Sequence, residues 1–251
     1  MLRYITLPDG SSIAAYNLLI GIGIAAAMLY LQYNRDFKKK SESEKFKIHL
    51  SLLIAILGGF AAAFIFDAYT QGIPITFSNL NKIGLTFFSG LIFGLGLLIL
   101  SLKLYVLPVF KTINILVPAC CIAHFFGRLG CFFAGCCYGA PTKSVFGVVF
   151  PEGSLPHHHY GPLKMHPAQL YESSFVLVVF IILHYSKTRY KLVIYLLSYS
   201  LFRFFVEFIR ADSRGSALGQ ELLTPSQLIS VGTVAAIVLA WLFYRQKPSA
   251  Q

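Results

Sequence analysis

Charged side chains are scarce in this sequence. Only 12% of its 251 residues are Asp, Glu, Lys or Arg, whereas 56% are hydrophobic. Soluble domains carry about 25% charged residues, so a water-soluble fold of this length is excluded, because it could not bury so much apolar surface. Among the charged residues, acidic ones are the fewer, with 10 Asp and Glu against 21 Lys and Arg. This shortage predicts a protein whose main solvent is the lipid bilayer.

The sequence also lacks any nucleic-acid recognition module, although its formal net charge is +11. Its basic residues form no stripe and are scattered over short loops, so we exclude nucleic acid as a partner and assign the charge to anionic headgroups. Runs of about ten alternating apolar residues are missing too, which excludes an outer-membrane barrel. Helices remain, because backbone groups in lipid must be satisfied within their own segment.

Seven apolar stretches are long enough, or nearly so, to cross a hydrocarbon core, which takes roughly 20 residues. They are Ile13–Leu31, Ile48–Phe66, Ile83–Leu102, Leu107–Phe126, Leu170–Tyr185, Leu192–Phe208 and Gln227–Tyr244. The fourth contains Pro108 and Pro118, and the fifth is short. Because these stretches follow one another along the whole sequence, they predict an all-α integral membrane protein with a single polytopic domain over residues 1–251.

The distribution of Lys and Arg sets the expected orientation, since cytoplasmic loops carry an excess of both. Thirteen basic residues fall on one side of the predicted bundle, six of them in Asn34–Lys47. Seven fall on the other side, which includes a long connection at residues 127–168. We therefore expect the N-terminus outside, the C-terminus in the cytoplasm and the long connection on the outer face.

Polar residues interrupt the apolar pattern first at His124–Gly139. His124 and Arg128 are four residues apart, so on a continuing helix they share one face. Glycines at 127, 130, 135 and 139 allow the backbone to turn sharply or to approach a ligand closely. This segment is the first candidate for a functional site.

Two further polar segments lie in the predicted fifth and sixth spans. The fifth opens with four polar side chains, His166, Gln169, Tyr171 and Glu172. In the sixth, Tyr199, Arg203 and Glu207 recur every four residues and therefore line one face. Charged residues within a span are costly and normally face the bundle interior or a wet cavity. Arg203 and Glu207 either form a structural pair or belong to a site, and Arg210 either joins them or reaches water at the helix end.

Together, the three segments resemble the prolipoprotein diacylglyceryl transferase family. The likeness rests on Gly-Arg128-Leu-Gly with Gly135 and Gly139, on His166-Pro-Ala-Gln-Leu-Tyr-Glu172, and on Tyr199 to Arg210. It covers most of the chain, although the first hundred residues match in hydropathy more than in identity. Tyr16, near the outer end of the first span, corresponds weakly to a family tyrosine.

The resemblance implies transfer of the diacylglyceryl group of phosphatidylglycerol to the lipobox cysteine thiol of a secreted prolipoprotein, with glycerol phosphate leaving. It implies a protein of the bacterial cytoplasmic membrane whose site faces the outer leaflet, and we expect a monomer without cofactor or metal. The expected catalytic residues are Arg128, Arg203, His124 and His166. The expected substrate-binding residues are Tyr16, Gly139, Gln169, Tyr171, Glu172, Tyr199, Glu207 and Arg210.

Elementary chemistry fits these roles. Arginine presents a planar fork of donors that can bind phosphate with two hydrogen bonds and keeps its charge at any physiological pH. Arg128 and Arg203 are therefore expected to hold the phosphate from one cavity. Arg210 is expected to matter less, because it can reach water at the end of its helix.

Three departures from the family leave the reaction open. The family has a histidine at the start of its third span, where this chain has Phe87-Phe88-Ser89-Gly90. Cys131 and Cys136 replace a family asparagine and glutamate, and His124 replaces an apolar residue. These departures indicate a divergent, cysteine-rich branch of the family. Either His124 takes over part of the catalytic role of the missing histidine, or the branch transfers the lipid group to another acceptor. A lipid-binding or thiol-redox membrane protein without transferase activity is the alternative.

All five cysteines lie within 18 residues, from Cys120 to Cys137. Clustered thiols can bind zinc or exchange disulfides, but no C-x2-C pair is present. A Cys131–Cys136 or Cys131–Cys137 disulfide on the oxidising side is favoured over inert thiols and over a metal site. Cys120 and Cys121 are expected to be small core residues of an apolar span.

Overall fold

A computed structural model describes residues 4–6, 12–84, 87–211 and 223–246. The elements in chain order are β1 Tyr4–Thr6, β2 Ser12–Ala14, α1 Ala15–Tyr33, α2 Arg35–Lys38, α3 Glu42–Gln71, α4 Phe87–Leu104, α5 Val109–Ala134, β3 Val148–Val149, α6 Leu155–Tyr160, β4 Lys164–Met165, α7 Ala168–Tyr185, α8 Lys191–Val206 and α9 Pro225–Gln246, with 3-10 turns at Phe77–Lys82 and Glu207–Ile209. The two strand pairs are short and antiparallel. The predicted all-α membrane architecture is confirmed.

Each of the seven predicted apolar stretches overlaps one helix. Within the described residues, six helices are long and apolar enough to cross a membrane, and Ser89–Leu104 is a shorter apolar helix. The total of seven spans and the positions of the two termini relative to the membrane stay predictions. So does the single domain, since the chain divides into two compact units, Met1–Gln32 with Leu116–Gln251, and Tyr33–Ile115.

Side-chain caps fix the starts of α2 and α3 in the unit Tyr33–Ile115. The side-chain oxygen of Asn34 accepts hydrogen bonds from the backbone N–H groups of Asp36 and Phe37, at 3.0 and 3.1 Å, at the start of α2. Ser41 and Glu44 form a reciprocal capping box at the start of α3. These caps satisfy backbone donors that the first turn of each helix would otherwise leave without a partner.

Small residues hold α3 against α4 in the same unit. A Cβ added to Gly59 would lie 2.9 Å from the carbonyl oxygen of Gly90, and one added to Gly94 would lie 3.0 Å from that of Ala55. The two backbones are therefore in direct contact. Such close approach is the usual way in which helices associate in lipid, where apolar side chains gain little by leaving the solvent.

In the other unit, α1 packs closely on α5. A Cβ on Gly23 would lie 2.8 Å from the Phe126 Cβ, and one on Gly130 would lie 3.1 Å from the Tyr16 ring. The predicted connection at residues 127–168 was placed too early, because α5 continues through Arg128 to Ala134. Gly130 serves helix packing there, and the chain first turns at Gly135, which has a φ of 72°.

The connection from α5 to α7 has its own small core. Tyr138, Phe150 and Met165 are buried in it, next to the paired strands β3 and β4. The backbone N–H of Gly139 donates to the His166 carbonyl at 2.8 Å, and that of Ala140 donates to the Ile209 carbonyl at 2.7 Å. The connection is thus tied to the start of α7 and to the end of α8.

Gly139→Ala is expected to lower the free energy of unfolding by about 1–3 kcal/mol, the usual cost of overpacking. A Cβ at this position would lie 2.6 Å from the His166 Cβ and 2.7 Å from the Ile209 carbonyl oxygen, so the backbone connection would have to open. Thermal unfolding in detergent micelles measures the change. Gly127→Ala is the control, because its added Cβ meets nothing within 4 Å. Equal stability of the two variants would contradict the tight contact.

Candidate functional site

Glu172 is the centre of a buried polar cluster formed by α5, α7 and α8. Its side chain is fully buried, and its Oε1 lies 2.8 Å from Nη2 of Arg128. The Tyr199 hydroxyl donates to the same carboxylate oxygen and also accepts from Arg128 Nη2 at 3.2 Å. Arg128 on α5 is thereby fixed by one residue of α7 and one of α8.

The ionic contacts continue from Glu172 to the end of α8. Nη1 of Arg210 lies 4.0 Å from Glu172 Oε2, and Nε of Arg210 lies 3.9 Å from Glu207 Oε2. Glu207 pairs in turn with Arg203 at 2.5 Å, and Nη2 of Arg203 donates to the Ser226 hydroxyl of α9 at 2.9 Å. We call this alternating series, Arg128, Glu172, Arg210, Glu207 and Arg203, the ion chain.

The ion chain is almost completely buried. Its side chains are 0–8% exposed, apart from Arg128 at 16%. Arg210, which we expected to reach water, is only 2% exposed, because the 3-10 turn Glu207–Ile209 directs it back toward Glu172. That expectation is wrong. With three arginines and two glutamates, the ion chain has a formal net charge of +1.

His124 supports Arg128 from the preceding turn of α5, as the four-residue spacing predicted. Nε of Arg128 donates to His124 Nε2 at 3.3 Å, so this ring nitrogen carries no hydrogen. His124 Nδ1 then bears the hydrogen and contacts the Tyr195 hydroxyl at 2.9 Å. Both ring nitrogens are thus engaged, and the ring fixes the direction of the guanidinium.

The remaining edge of the Arg128 guanidinium is available to a ligand. Nε is bound to His124, and Nη2 is bound to Glu172 and Tyr199. Nη1 makes no hydrogen bond to any residue that the structure describes. A largely buried arginine with three anchored contacts and an available nitrogen is organised to bind an anionic oxygen.

Arg203 has the structural pairing that the sequence left open, because its guanidinium contacts Glu207 and Ser226. Among the described residues, the ion pairs that connect it to Arg128 run through Glu207, Arg210 and Glu172. The expectation that both arginines hold one phosphate therefore stays a prediction.

Apart from Glu172, the predicted residues at the start of α7 make their contacts outside the ion chain. His166 Nδ1 contacts the Tyr171 hydroxyl at 3.2 Å, so these two form a separate pair. Gln169 is fully buried and donates to the Cys136 carbonyl at 2.5 Å. The side chain of Phe88, which stands where the family has its histidine, lies outside the described residues.

Three cysteines meet beside the ion chain. The Sγ atoms of Cys131, Cys136 and Cys137 lie within 4.8 Å of one another. All three are thiols, so the expected disulfide is absent among the described residues. The fold brings them together because α5 ends at Ala134 and Cys137 takes a left-handed φ of 63°. Hydrogen bonds from Cys131 and Cys136, and then Arg210, hold the pKa of the Cys137 thiol well below its usual range.

The other two cysteines differ from each other in burial. Cys121 is buried, as expected of a core residue, but Cys120 is exposed. The expectation for Cys120 is wrong, because neighbouring residues of a helix point in directions about 100° apart and only one of the pair faces the interior.

Three features of the site were not identified from the sequence: Tyr195, Ser226, and the contact between the cysteine thiols and Arg210. Tyr195 carried a signal, since it lies four residues before Tyr199 and shares its helix face, where the two rings stack at 5.8 Å. Ser226 gave no signal, because a serine at the start of an apolar helix is ordinary. Tyr16 packs on Gly130 and lies close enough to the three thiols to interact with them electrostatically.

The fold and the site define a multi-pass membrane protein with a buried, arginine-rich polar site. The chain belongs to the prolipoprotein diacylglyceryl transferase family, whose model matches residues 4–243. It is 34% identical over 231 residues to phosphatidylglycerol–prolipoprotein diacylglyceryl transferase 2 of Clostridium perfringens, covering 88% of this chain and 87% of the relative. It is 33% identical over 232 residues to the phosphatidylglycerol–prolipoprotein diacylglyceryl transferase of Clostridium tetani, covering 90% of each.

Proposed function

We propose that this protein transfers the diacylglyceryl group of phosphatidylglycerol to the lipobox cysteine thiol of a secreted prolipoprotein. The observation that carries the proposal is the anchored Arg128 guanidinium, whose Nη1 remains available to a phosphate oxygen. The names of the two relatives support the same donor and acceptor. The site would face the outer leaflet of the bacterial cytoplasmic membrane, where secreted precursors emerge.

The charge change of this reaction suits a fixed arginine. The acceptor sulfur attacks the glyceryl carbon next to the phosphate, the carbon–oxygen bond breaks, and its electron pair leaves with glycerol phosphate. The phosphate therefore changes from a singly charged diester to a more highly charged monoester. An arginine held in place by Glu172, Tyr199 and His124 binds the developing charge better than the starting charge, which lowers the barrier.

The other residues of the site have positioning roles in this proposal. Glu172 and Tyr199 hold the guanidinium of Arg128, and His124 sets its direction. Arg210 and Glu207 link that group to Arg203, which α9 anchors through a serine hydroxyl. The pair of His166 and Tyr171 lies at the start of α7, beside the backbone connection from residue 139.

The direct test uses the purified full chain, labelled phosphatidylglycerol and a lipobox peptide. Lipidated peptide and released glycerol phosphate in equal amounts are expected. A peptide with serine in place of the lipobox cysteine is the control and should stay unmodified. Release of glycerol phosphate without peptide modification would indicate a different acceptor. Lipid binding without either product would favour the lipid-binding alternative and refute the transferase.

The topology gives a prediction that does not depend on activity. Reporter fusions within Asn34–Lys47 should be cytoplasmic, because that loop has the largest concentration of Lys and Arg. Fusions at His157–His159, which lie in α6, should be outside. Fusions that place both segments on the same side would contradict seven spans and an external site.

A further inference from the structure

We propose that Cys131, Cys136 and Cys137 bind a zinc ion whose fourth coordination position takes the acceptor thiol. This inference rests on the proposed transfer reaction for the identity of that fourth ligand, but not for the three protein ligands. The three Sγ atoms lie within 4.8 Å of one another, and each side chain is partly buried.

The sulfur geometry is close to that of a metal site. Zinc binds thiolates at about 2.3 Å in a tetrahedron, which places the sulfurs about 3.8 Å apart. The three thiols need only a small contraction to reach that spacing. A disulfide needs about 2.05 Å and would leave one of the three sulfurs out. The sequence spacing gave no zinc signature, because the three ligands are brought together by the end of α5 and by the turn at Cys137.

The surrounding charges favour a bound metal. Three thiolates and one Zn²⁺ have a net charge of −1, and the neighbouring ion chain has a net charge of +1. Arg210 connects the two, since it interacts with Cys137 and belongs to the ion chain. Gln169 also fixes the backbone of Cys136 through its carbonyl, so one ligand is held by a buried side chain of α7.

A pocket opens directly beside two of the three ligands. It has a volume of about 640 Å³, and its walls include Cys136, Cys137, His159 and Tyr160. Zinc sites that take part in reactions keep three protein ligands and leave one position for water or substrate. With this volume, the pocket has room for a peptide side chain beside that position.

The metal would supply the acceptor in its reactive form. The acceptor thiol loses its proton to water in the pocket when it binds the metal, because the ligand is the thiolate. Its sulfur then forms the bond to the glyceryl carbon as the bond from that carbon to the phosphate oxygen breaks. The product is a thioether, a weaker ligand, so it leaves the metal. In this proposal the metal activates the acceptor thiol. His124 does not, because both of its ring nitrogens are engaged.

Cobalt(II) is the probe for the metal site, because it replaces zinc and absorbs light when bound to thiolates. The reduced, purified chain should bind one Co²⁺ with the spectrum of tetrahedral sulfur coordination, and Zn²⁺ should displace it. Substitutions outside the ligand set typically weaken metal binding by about 10- to 100-fold. The double substitution Cys136→Ala/Cys137→Ala should weaken Co²⁺ binding by more than that. Cys120→Ala is the matched control and should bind normally. Binding that survives the double substitution would overturn the site.

Alkylation of the wild-type protein avoids any dependence on the folding of variants. Zn²⁺ should protect Cys131, Cys136 and Cys137, but not the exposed Cys120, from a membrane-permeant thiol reagent, as mapped by mass spectrometry. Protection that requires oxidation and disappears on reduction, with no metal bound, would instead show a disulfide and refute the proposal.

The role in transfer is tested separately. A lipobox peptide should change the Co²⁺ spectrum, and its serine analogue should not. Turnover by the metal-free protein should be lower by about 100-fold or more. A group that assists proton removal contributes at least this factor to the rate. Full turnover without metal would refute this inference and leave the proposed function standing. Metal binding without any transfer from phosphatidylglycerol would refute the proposed function and leave the three-cysteine site standing.

Discussion

Replacing Arg128 with lysine is expected to lower kcat/KM for diacylglyceryl transfer by about 100- to 1,000-fold, equivalent to about 2.7–4 kcal/mol of transition-state stabilisation. Lysine keeps the charge and can still pair with Glu172, so the protein should fold. It cannot contact His124, Tyr199 and a phosphate oxygen together, because it lacks the planar fork. Initial rates with labelled phosphatidylglycerol measure the loss.

Arg189→Lys is the control, since Arg189 is exposed and lies over the Tyr190 ring away from the ion chain. Near-normal transfer by Arg128→Lys would refute phosphate binding by this residue.

His124→Gln distinguishes a positioning role of His124 from a role as proton acceptor, because glutamine can still accept a hydrogen bond from Arg128. If His124 only positions Arg128, the loss should be small; a loss of about 100- to 10,000-fold would restore it as the proton acceptor.

Glu172→Gln is expected to reduce both stability and turnover, because it removes the negative charge between two buried arginines. Breaking a buried ion pair from one side costs about 3–5 kcal/mol. The substitution keeps the shape of the side chain, so the loss reports charge and not packing. Unfolding in detergent micelles measures it, with Glu152→Gln at an exposed position as the control.

A second substitution tests the cause of that loss. Arg128→Met in the Glu172→Gln background removes one of the two arginines that faced the carboxylate. The double variant should be more stable than the sum of the single effects predicts, with a coupling of about 0.5–3 kcal/mol. Strict additivity, or a loss below about 0.5 kcal/mol for Glu172→Gln alone, would contradict the central place of Glu172.

Much of the site could be predicted from periodicity. Tyr199, Arg203 and Glu207 recur every four residues, and charges in an apolar helix must face a protected interior. His124 and Arg128 share a face for the same reason. The partner of Arg128 could not be predicted, because the carboxylate of α7 reaches it only through the packing of α7 against α5 and α8. Spacing within one helix says nothing about its neighbour.

Local backbone changes account for what the sequence analysis missed. Arg210 follows a 3-10 turn, which rotates it relative to an α-helical continuation and brings it between the two glutamates. Gly127 and Gly130 suggested a loop, but both lie within α5. A helix in lipid tolerates glycine where another helix approaches closely, as α1 does at Gly130. The three thiols depend on two left-handed residues, Gly135 and Cys137, and the second has a conformation that cysteine rarely adopts.

The burial of the ion chain has a consequence for the conditions under which the protein works. Mobile ions screen exposed charges over a Debye length of about 8 Å at physiological salt, but they screen buried pairs much less. Because the members of the ion chain are at most 16% exposed, the phosphate binding that we propose for Arg128 should change little with ionic strength. Salt would act instead on the exposed basic residues Arg35, Lys38 and Lys39. Adhesion to a charged membrane surface and turnover should therefore respond to salt independently.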